Sequence, residues 1–354
     1  MGLVKFLLDR FHILLSLTIN SMLSPQIANL VAYYFNVLVA YGIGAQSSTW
    51  SEMFHLKSNK QISEKYPTLV TPSGYAFAIW GLIFGLEAIS VCWQFTLTEQ
   101  GEEEKYIHTH GRIPFLFSKG SYYWVVSCLL QCTWTLAFGW DQIFISTGLM
   151  LSLLYTTYHT YHENLAALHE LTATDMTSEG YAFFWAVVPF AIHASWLVVA
   201  SIVQVNIFVV ARKASSNVQV VVALFSLGVL LLLGCVTAGS LLGSIGYAKT
   251  MTALNGTHIG SRIIFLAVSL WAARAIEQFD ILLVGKSKKS DDKRVPELEE
   301  RKGEVTPPAP SRLQTIILQR FRGVVFRCLL GAFLGNIVLF AVKYYQMNVE
   351  PAEN

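Results

Sequence analysis

Long apolar stretches recur along the chain and are separated by shorter polar segments. Each is about 20 residues long, which is the length that an α-helix needs to cross a hydrocarbon core about 30 Å thick. The stretches are continuous and lack the two-residue alternation of a half-buried strand. Because a span must satisfy its backbone donors and acceptors internally, the pattern predicts membrane helices. We predict eight spans, at residues 26–46, 73–97, 121–140, 142–162, 182–208, 218–246, 261–284 and 323–343.

Composition supports an all-α, multi-pass membrane protein. Hydrophobic residues make up 53% of the chain and charged residues 14%, against roughly a quarter charged in a soluble domain. All five cysteines fall inside predicted spans, where they are expected to be small buried hydrophobes without disulfides. The net charge of +2 is too small to indicate a nucleic-acid partner. The expected surroundings are membrane lipid.

Basic residues are concentrated on one side of the predicted topology. Ten of them lie between the last two spans, from Lys286 to Arg322, and Lys57, Lys65 and Arg212 fall on the same side. The positive-inside rule assigns this side to the cytosol, the mitochondrial matrix or the plastid stroma. Residues 1–23 carry no clean targeting signature, so plasma membrane, mitochondrion and plastid all stay open.

These features divide the chain into five parts. They are an N-terminal interfacial or targeting segment at 1–25, a five-helix unit at 26–208, two added membrane helices at 218–284, a basic flexible loop with an amphipathic end at 285–322, and the last membrane helix and tail at 323–354. Small residues four apart, at Gly239–Gly243 and Gly331–Gly335, indicate close helix packing. That packing is expected mainly within the chain, with a homodimer as the alternative.

The second predicted span carries an intramembrane carboxylate. Trp80, Phe84 and Glu87 fall on one helical face, and Glu87 lies near the middle of the span. A carboxylate at that depth marks a functional site by default. The alternative is a protonated glutamate that is hydrogen-bonded to a neighbouring helix.

Two other spans place indole rings beside polar groups. Gln131, Trp134 and Phe138 share one stripe, and His193 and Trp196 lie in the fifth span. Aromatic stripes in membrane helices usually serve packing or interfacial belts. Interior tryptophan with a few polar groups, however, is typical of a pocket for a flat and mostly apolar ligand.

The remaining polar groups give weaker signals. Arg274 and Glu277 are three residues apart, which favours an ion pair along the helix over a transport pathway. The His and Glu residues between positions 159 and 170 have no metal-ligand spacing and favour a polar helix end. Phosphate loops, nucleophile elbows and paired catalytic carboxylates do not occur. The sequence therefore predicts no catalytic residues, no metal and no required cofactor, and it favours a non-enzymatic function without excluding an enzyme.

The entry to the second span resembles the tryptophan-rich sensory protein and translocator protein family. Pro67, Pro72 and Trp80 keep the spacing of that family's loop and second helix, with Thr71 in place of the first proline of a pair. The resemblance continues over residues 26–208. Its further matching positions are Gln131, Trp134 and Phe138 in the third span and Pro189, Phe190, Trp196, Ala200 and Gln204 in the fifth.

The resemblance implies a five-helix bundle, often dimeric, whose first loop covers a cavity that binds tetrapyrroles and, in some members, sterols. Pro67 and Pro72 would stop the loop, Gly74 would allow close approach to a neighbour, and Tyr75 would lie at the interface. These four residues form the predicted gate.

The leading hypothesis is a membrane receptor or carrier for a small planar hydrophobic ligand, with a tetrapyrrole as ligand rather than as a required cofactor. The predicted ligand-binding residues are Asn36, Trp80, Phe84, Glu87, Gln131, Trp134, Phe138, His193 and Trp196. The tryptophans would enclose the ring, while Asn36, Gln131 and His193 would orient its polar groups. One alternative is a proton- or ion-coupled transporter that uses Glu87 with Arg274 and Glu277, and another is a structural membrane subunit.

Overall fold

The computed structural model describes residues 25–44, 53–96, 119–172, 185–247, 253–278 and 311–349. Apart from Pro25, the predicted N-terminal segment at 1–25 lies outside these residues, and so do residues 285–310 of the predicted basic loop. Across the described residues all regular secondary structure is helical, in nine α-helices and one 3₁₀ helix. They are α1 (Pro25–Gly44), α2 (Asn59–Lys65), the 3₁₀ helix (Gly74–Ala78), α3 (Ile79–Thr96), α4 (Lys119–Gly139), α5 (Ile143–Thr172), α6 (Val188–Ala211), α7 (Ser216–Tyr247), α8 (Ala253–Glu277) and α9 (Arg312–Val349).

Each predicted span coincides with a long helix, which confirms the all-α membrane bundle. By length and composition, four helical stretches of the described chain are apolar enough to cross a membrane: Gly74–Phe95, Val188–Ala211, Ser216–Gly239 and Arg312–Val338. Helices α4 and α5 carry buried hydroxyls that bond to one another inside the bundle. The Ser127 hydroxyl, for example, donates to Thr156 Oγ1 at 2.9 Å across the α4–α5 contact.

The helices form a five-helix bundle with a three-helix unit beside it. Helix α4 packs between α1 and α5, α5 packs on α6, and α3 packs on α1 and α6. Helices α7, α8 and α9 pack on one another, and α6 joins the two groups through its contacts with α7 and α8. Helix α6 is therefore the shared wall, which explains why its two faces are both apolar and largely buried.

Three apolar clusters hold this arrangement. In the bundle, one cluster surrounds Trp124, whose ring meets Phe190 edge to face at 5.0 Å, and another surrounds Trp134 and Leu197. A third cluster lies between α6 and the three-helix unit and includes Leu329 of α9. Moving such a side chain from water into an apolar interior contributes about 1.5–3 kcal/mol. Between membrane helices, where lipid replaces water, van der Waals packing of the side chains provides the stabilisation instead.

The glycine motifs do not pack within the chain as predicted. A Cβ atom added to Gly239, Gly331 or Gly335 would meet no atom of the described residues within 4 Å, so the expectation of intrachain packing is wrong at these three positions for the described part of the chain. The close approach between α7 and α9 occurs instead at Gly234, where a Cβ would lie 2.1 Å from Leu329 Cδ2. A homodimer through the exposed glycines stays a prediction.

A cover segment, residues 53–73, crosses one end of the five-helix bundle. Its helix α2 begins with a capping box: the Ser58 hydroxyl accepts from the Gln61 backbone N–H at 3.3 Å, and the Gln61 side chain accepts from the Ser58 N–H at 2.8 Å. Ile62 is buried beneath α2 against Trp134 and its neighbours. A helix this short depends on that contact, because isolated helices of its length are unstable in water.

Candidate functional site

A cavity lies beneath the cover segment, enclosed by α3, α4, α5 and α6. Its volume is about 70 Å³. Its lining is Asn59, Ser63, Pro72, Phe77, Trp80, Trp134, Phe138, Met150, Trp196, Val199, Ala200, Val203, Gln204 and Ile207.

Three indole rings from three helices form much of the lining. Trp80 of α3 and Trp196 of α6 meet edge to face at 6.4 Å between ring centroids, and Trp134 of α4 stacks on Phe138 at 5.1 Å. Phe77, at the end of the 3₁₀ helix, meets Trp196 edge to face at 6.1 Å. The rings pack against their neighbours at the walls and leave the hollow between them open.

The polar groups of the lining are neutral. The indole N–H groups of Trp134 and Trp196 are buried and have no hydrogen-bond partner in the described part of the chain. The Gln204 amide donates to Ser146 Oγ at 3.0 Å, which fixes its orientation at the wall. Buried donors are nearly always satisfied in folded proteins, so these two indole N–H groups are exceptional among the described residues.

Glu87 and His193 contact the cavity only through Trp80. Glu87 Oε1 lies 2.7 Å from His193 Nδ1, and both side chains are completely buried between α3 and α6. The His193 ring meets Trp80 edge to face at 5.6 Å, and Phe84 stacks on the same indole at 5.6 Å. These three predicted ligand-binding residues therefore support a wall of the cavity and do not line it.

Asn36 and Gln131 also lie outside the lining, because they bond to each other. The Asn36 amide donates to Gln131 Oε1 at 2.9 Å, and both residues are buried at the α1–α4 contact. This pairing across helices removes two amides from water and satisfies them together. Of the nine predicted ligand-binding residues, Trp80, Trp134, Phe138 and Trp196 line the cavity.

The predicted gate residues have different positions. Pro72 lines the cavity and Pro67 does not. Tyr75 is partly exposed and meets Trp271 of α8 edge to face at 5.2 Å. The close approach expected at Gly74 is wrong among the residues that the structure describes, since a Cβ there would meet none of their atoms within 4 Å.

The alternative coupling pair lies away from Glu87. The Arg274 guanidinium bonds to Glu277 Oε2 within α8, and about half of the Arg274 side chain is exposed. This is the ion pair along the helix that the three-residue spacing predicts. Within the described residues, there is no group of three or more His, Cys, Asp or Glu side chains that could hold a metal ion.

Some lining residues were missed by the sequence interpretation. Val199, Val203 and Ile207 continue the face of α6 that begins at Trp196, so helical periodicity extended from that tryptophan could have found them. Asn59 and Ser63 are one turn apart on α2, but no sequence signal indicates that α2 lies over the cavity.

The cover segment is attached at the α4–α5 turn. Lys57 Nζ lies 2.7 Å from Asp141 Oδ2, Lys65 bonds to the same oxygen, and the Lys57 N–H donates to the Gly139 carbonyl at 2.9 Å. Burial opposes ionisation of Asp141, but the hydrogen bonds from Lys57 and Lys65 hold its pKa below the ordinary value. Partial burial likewise opposes the charge of Lys65, yet the bond to Asp141 raises its pKa. We call this contact the Asp141 latch.

Fold and cavity together define a helical membrane protein with a covered, tryptophan-lined cavity. The family model of TSPO-like proteins matches residues 26–278, and the chain belongs to that family. The match extends beyond the motifs at 26–208 and takes in α7 and α8 as well. No curated protein and no solved structure gave a match to the chain.

Proposed function

We propose that the protein is a membrane receptor or carrier that binds a planar, mostly apolar ligand of the tetrapyrrole class in the tryptophan-lined cavity. The observation that carries this proposal is the convergence of Trp80, Trp134 and Trp196 on one hollow. Stacked or edge-on aromatic contacts contribute about 0.5–1.5 kcal/mol each beyond the apolar area they bury. Three such contacts favour a flat conjugated guest over a flexible chain.

The polar lining supports a ligand with acceptor atoms inside the ring or at its rim. Trp134 and Trp196 supply two buried indole N–H donors without partners in the described chain. The side chains that line the cavity carry no formal charge. Charged substituents such as carboxylates would therefore have to stay outside this lining.

Entry of such a ligand requires the cover segment to move. The cavity volume of about 70 Å³ is too small for the ring of a tetrapyrrole. Asn59, Ser63 and Pro72 of the cover segment line the cavity, so their displacement would enlarge it. The conformation with the cover segment over the cavity is then the resting state, and ligand binding requires the cover segment to open.

Equilibrium binding of protoporphyrin to purified protein in nanodiscs, followed by the anisotropy of porphyrin fluorescence, tests the proposal. Trp80→Leu and Trp134→Leu should each weaken binding about fivefold to tenfold, because each removes one aromatic wall. Phe225→Leu is the control, since that ring is 72% exposed on α7 outside the cavity. Equal affinities for all three variants would reject the cavity as the porphyrin site.

A sterol is the second ligand class to compare in the same assay. Competitive displacement of protoporphyrin by a sterol would place both in one cavity. Saturable sterol binding that is sensitive to Trp134→Leu, together with no porphyrin binding, would replace the tetrapyrrole by the sterol. Absence of a thermal shift with either ligand would favour a structural subunit.

A proton-coupled carrier is the second candidate function, because Glu87 and His193 form a completely buried pair. Glu87 Oε2 and His193 Nε2 have no partner in the described part of the chain, so the pair has sites for another proton or donor. In liposomes, Glu87→Gln should abolish pH-dependent solute flux if this candidate is correct. Unchanged flux would remove it.

A further inference from the structure

The strap, which we define as residues 69–73 at the end of the cover segment, is bound to the three-helix unit. The Ser73 N–H and the Ser73 hydroxyl both donate to the Ala275 carbonyl of α8, each at 3.0 Å. The Arg322 guanidinium of α9 donates to the Leu69 carbonyl. Two helices outside the five-helix bundle thus bond to the backbone of the strap at both of its ends.

Side-chain packing reinforces these bonds. Val70 is completely buried in the same apolar cluster as Leu318 and Val325 of α9 and Ile276 of α8. Tyr75, just beyond the strap, contacts Trp271 of α8. The strap is therefore part of the core of the three-helix unit as much as part of the cover.

Arg322 is unusual among the basic residues near this end of the protein. It is almost completely buried, whereas Arg320 and Arg327 on the same helix are exposed. A buried arginine in a membrane helix carries a large desolvation cost and is retained where its bonds have a use. Its bond to Leu69 reaches across 253 positions of sequence to the segment that covers the cavity.

We propose that α8 and α9 form a clamp on the strap, with Arg322 as its main positioning residue, and that this clamp sets how far the cavity mouth opens. Pro72 is both a strap residue and a lining residue, so a displaced strap changes the wall of the cavity directly. The link from strap to ligand rests on the proposed function. The clamp itself does not, because it concerns only contacts within the chain.

Hydrogen exchange of backbone amides, measured by mass spectrometry on the full chain in nanodiscs without ligand, tests the clamp. Arg322→Met should speed exchange in peptides that cover residues 68–79 by at least about tenfold, because a hydrogen bond from a charged donor slows local opening by that order. Peptides of α1 should keep their exchange rates. Arg320→Met is the matched control, since it makes the same change two residues away on an exposed position.

A second variant removes the hydrogen bonds at the other end of the strap. Ser73→Pro removes both donors to Ala275, and the Ser73 φ of −57° lies within the range of proline. It should also speed exchange of the strap amides. Arg322→Lys keeps the positive charge but has fewer hydrogen-bond donors. The exchange rate of its strap amides should therefore lie between the rates of wild type and Arg322→Met.

Strap exchange that is unchanged in Ser73→Pro and in folded Arg322→Met would overturn the clamp. Faster strap exchange with faster release of protoporphyrin supports both the clamp and its link to the cavity. Faster strap exchange in a protein that binds no porphyrin in any form supports the clamp and rejects the proposed function. Failure of the clamp and failure of the proposed function therefore give different experimental results.

Discussion

Replacing Asp141 by asparagine should loosen the end of the cover segment that lies opposite the strap. Asp141 Oδ2 accepts from both Lys57 and Lys65, so one substitution removes two ion pairs. The residue has a positive φ of 65°, which asparagine also adopts readily. The backbone of the α4–α5 turn should therefore keep its conformation, and the change isolates the charge.

The magnitude follows from the exposure of the Asp141 latch. The side chains of Lys57 and Lys65 are 44% and 35% exposed and that of Asp141 is 18% exposed. Ion pairs with this degree of exposure contribute about 0.2–1 kcal/mol each, so the latch contributes roughly 0.5–2 kcal/mol to closure. Its loss should raise the open fraction of the cover segment by roughly twofold to 30-fold.

The latch should be insensitive to pH near neutrality. The pKa of Asp141 is lowered from 3.8, so its contribution is present above that value and is lost as pH falls through the pKa of the folded state. The pKa of Lys65 is raised from 10.5, so its contribution is present below that value and is lost as pH rises through the pKa of the folded state. Between about pH 5 and about pH 9 the closed fraction should be constant.

Amide exchange over residues 53–66 provides the assay, because the Lys57 N–H donates to Gly139 at the latch. Glu64→Gln is the matched control: its contact with Lys60 spans 3.9 Å with both side chains 64% exposed. Exchange in Asp141→Asn that equals exchange in wild type would refute the latch. A rate in wild type that changes strongly between pH 6 and pH 8, after correction for intrinsic exchange, would refute the pKa argument.

Two further predictions concern stability in detergent titrations. Gly234→Ala should destabilise the protein by about 1–3 kcal/mol, because the new methyl group would overlap Leu329. Gly239→Ala should be neutral or slightly stabilising. Equal effects of the two substitutions on stability would refute the assigned helix contact. Glu87→Ala should lower the free energy of unfolding by about 1–3 kcal/mol, because it leaves the buried His193 without its partner. The double variant with His193→Ala should lose less stability than the sum of the two single variants. Simple additivity would refute the pairing.

The sequence predicted the walls of the cavity better than its polar groups. Trp134 and Trp196 were found because an apolar helix with fixed periodicity assigns each ring to a face before any partner is known. The orienting roles given to Gln131 and His193 could not be tested in that way. A buried amide or imidazole bonds to whichever group packs opposite, and the structure pairs these two with Asn36 and with Glu87.

The glycine motifs illustrate the same limit. Spacing identified Gly331 and Gly335 as able to admit a neighbouring helix, but not whether a helix lies there. The contact at Gly234 has Ala238 four residues further on, but no second glycine at that spacing that would mark it. Close packing depends on which faces meet, and sequence spacing describes only one of the two faces.

By itself the sequence determined that the protein is a multi-pass helical bundle of this family, because crossing lipid constrains length, apolarity and backbone bonding along one segment at a time. Only the tertiary structure decided that three indoles enclose a hollow and that Glu87 meets His193 from 106 positions away. It also decided that Ser73 is bound to Ala275, 202 positions further along the chain. Such contacts depend on how complete helices pack, and no local pattern of residues encodes that choice.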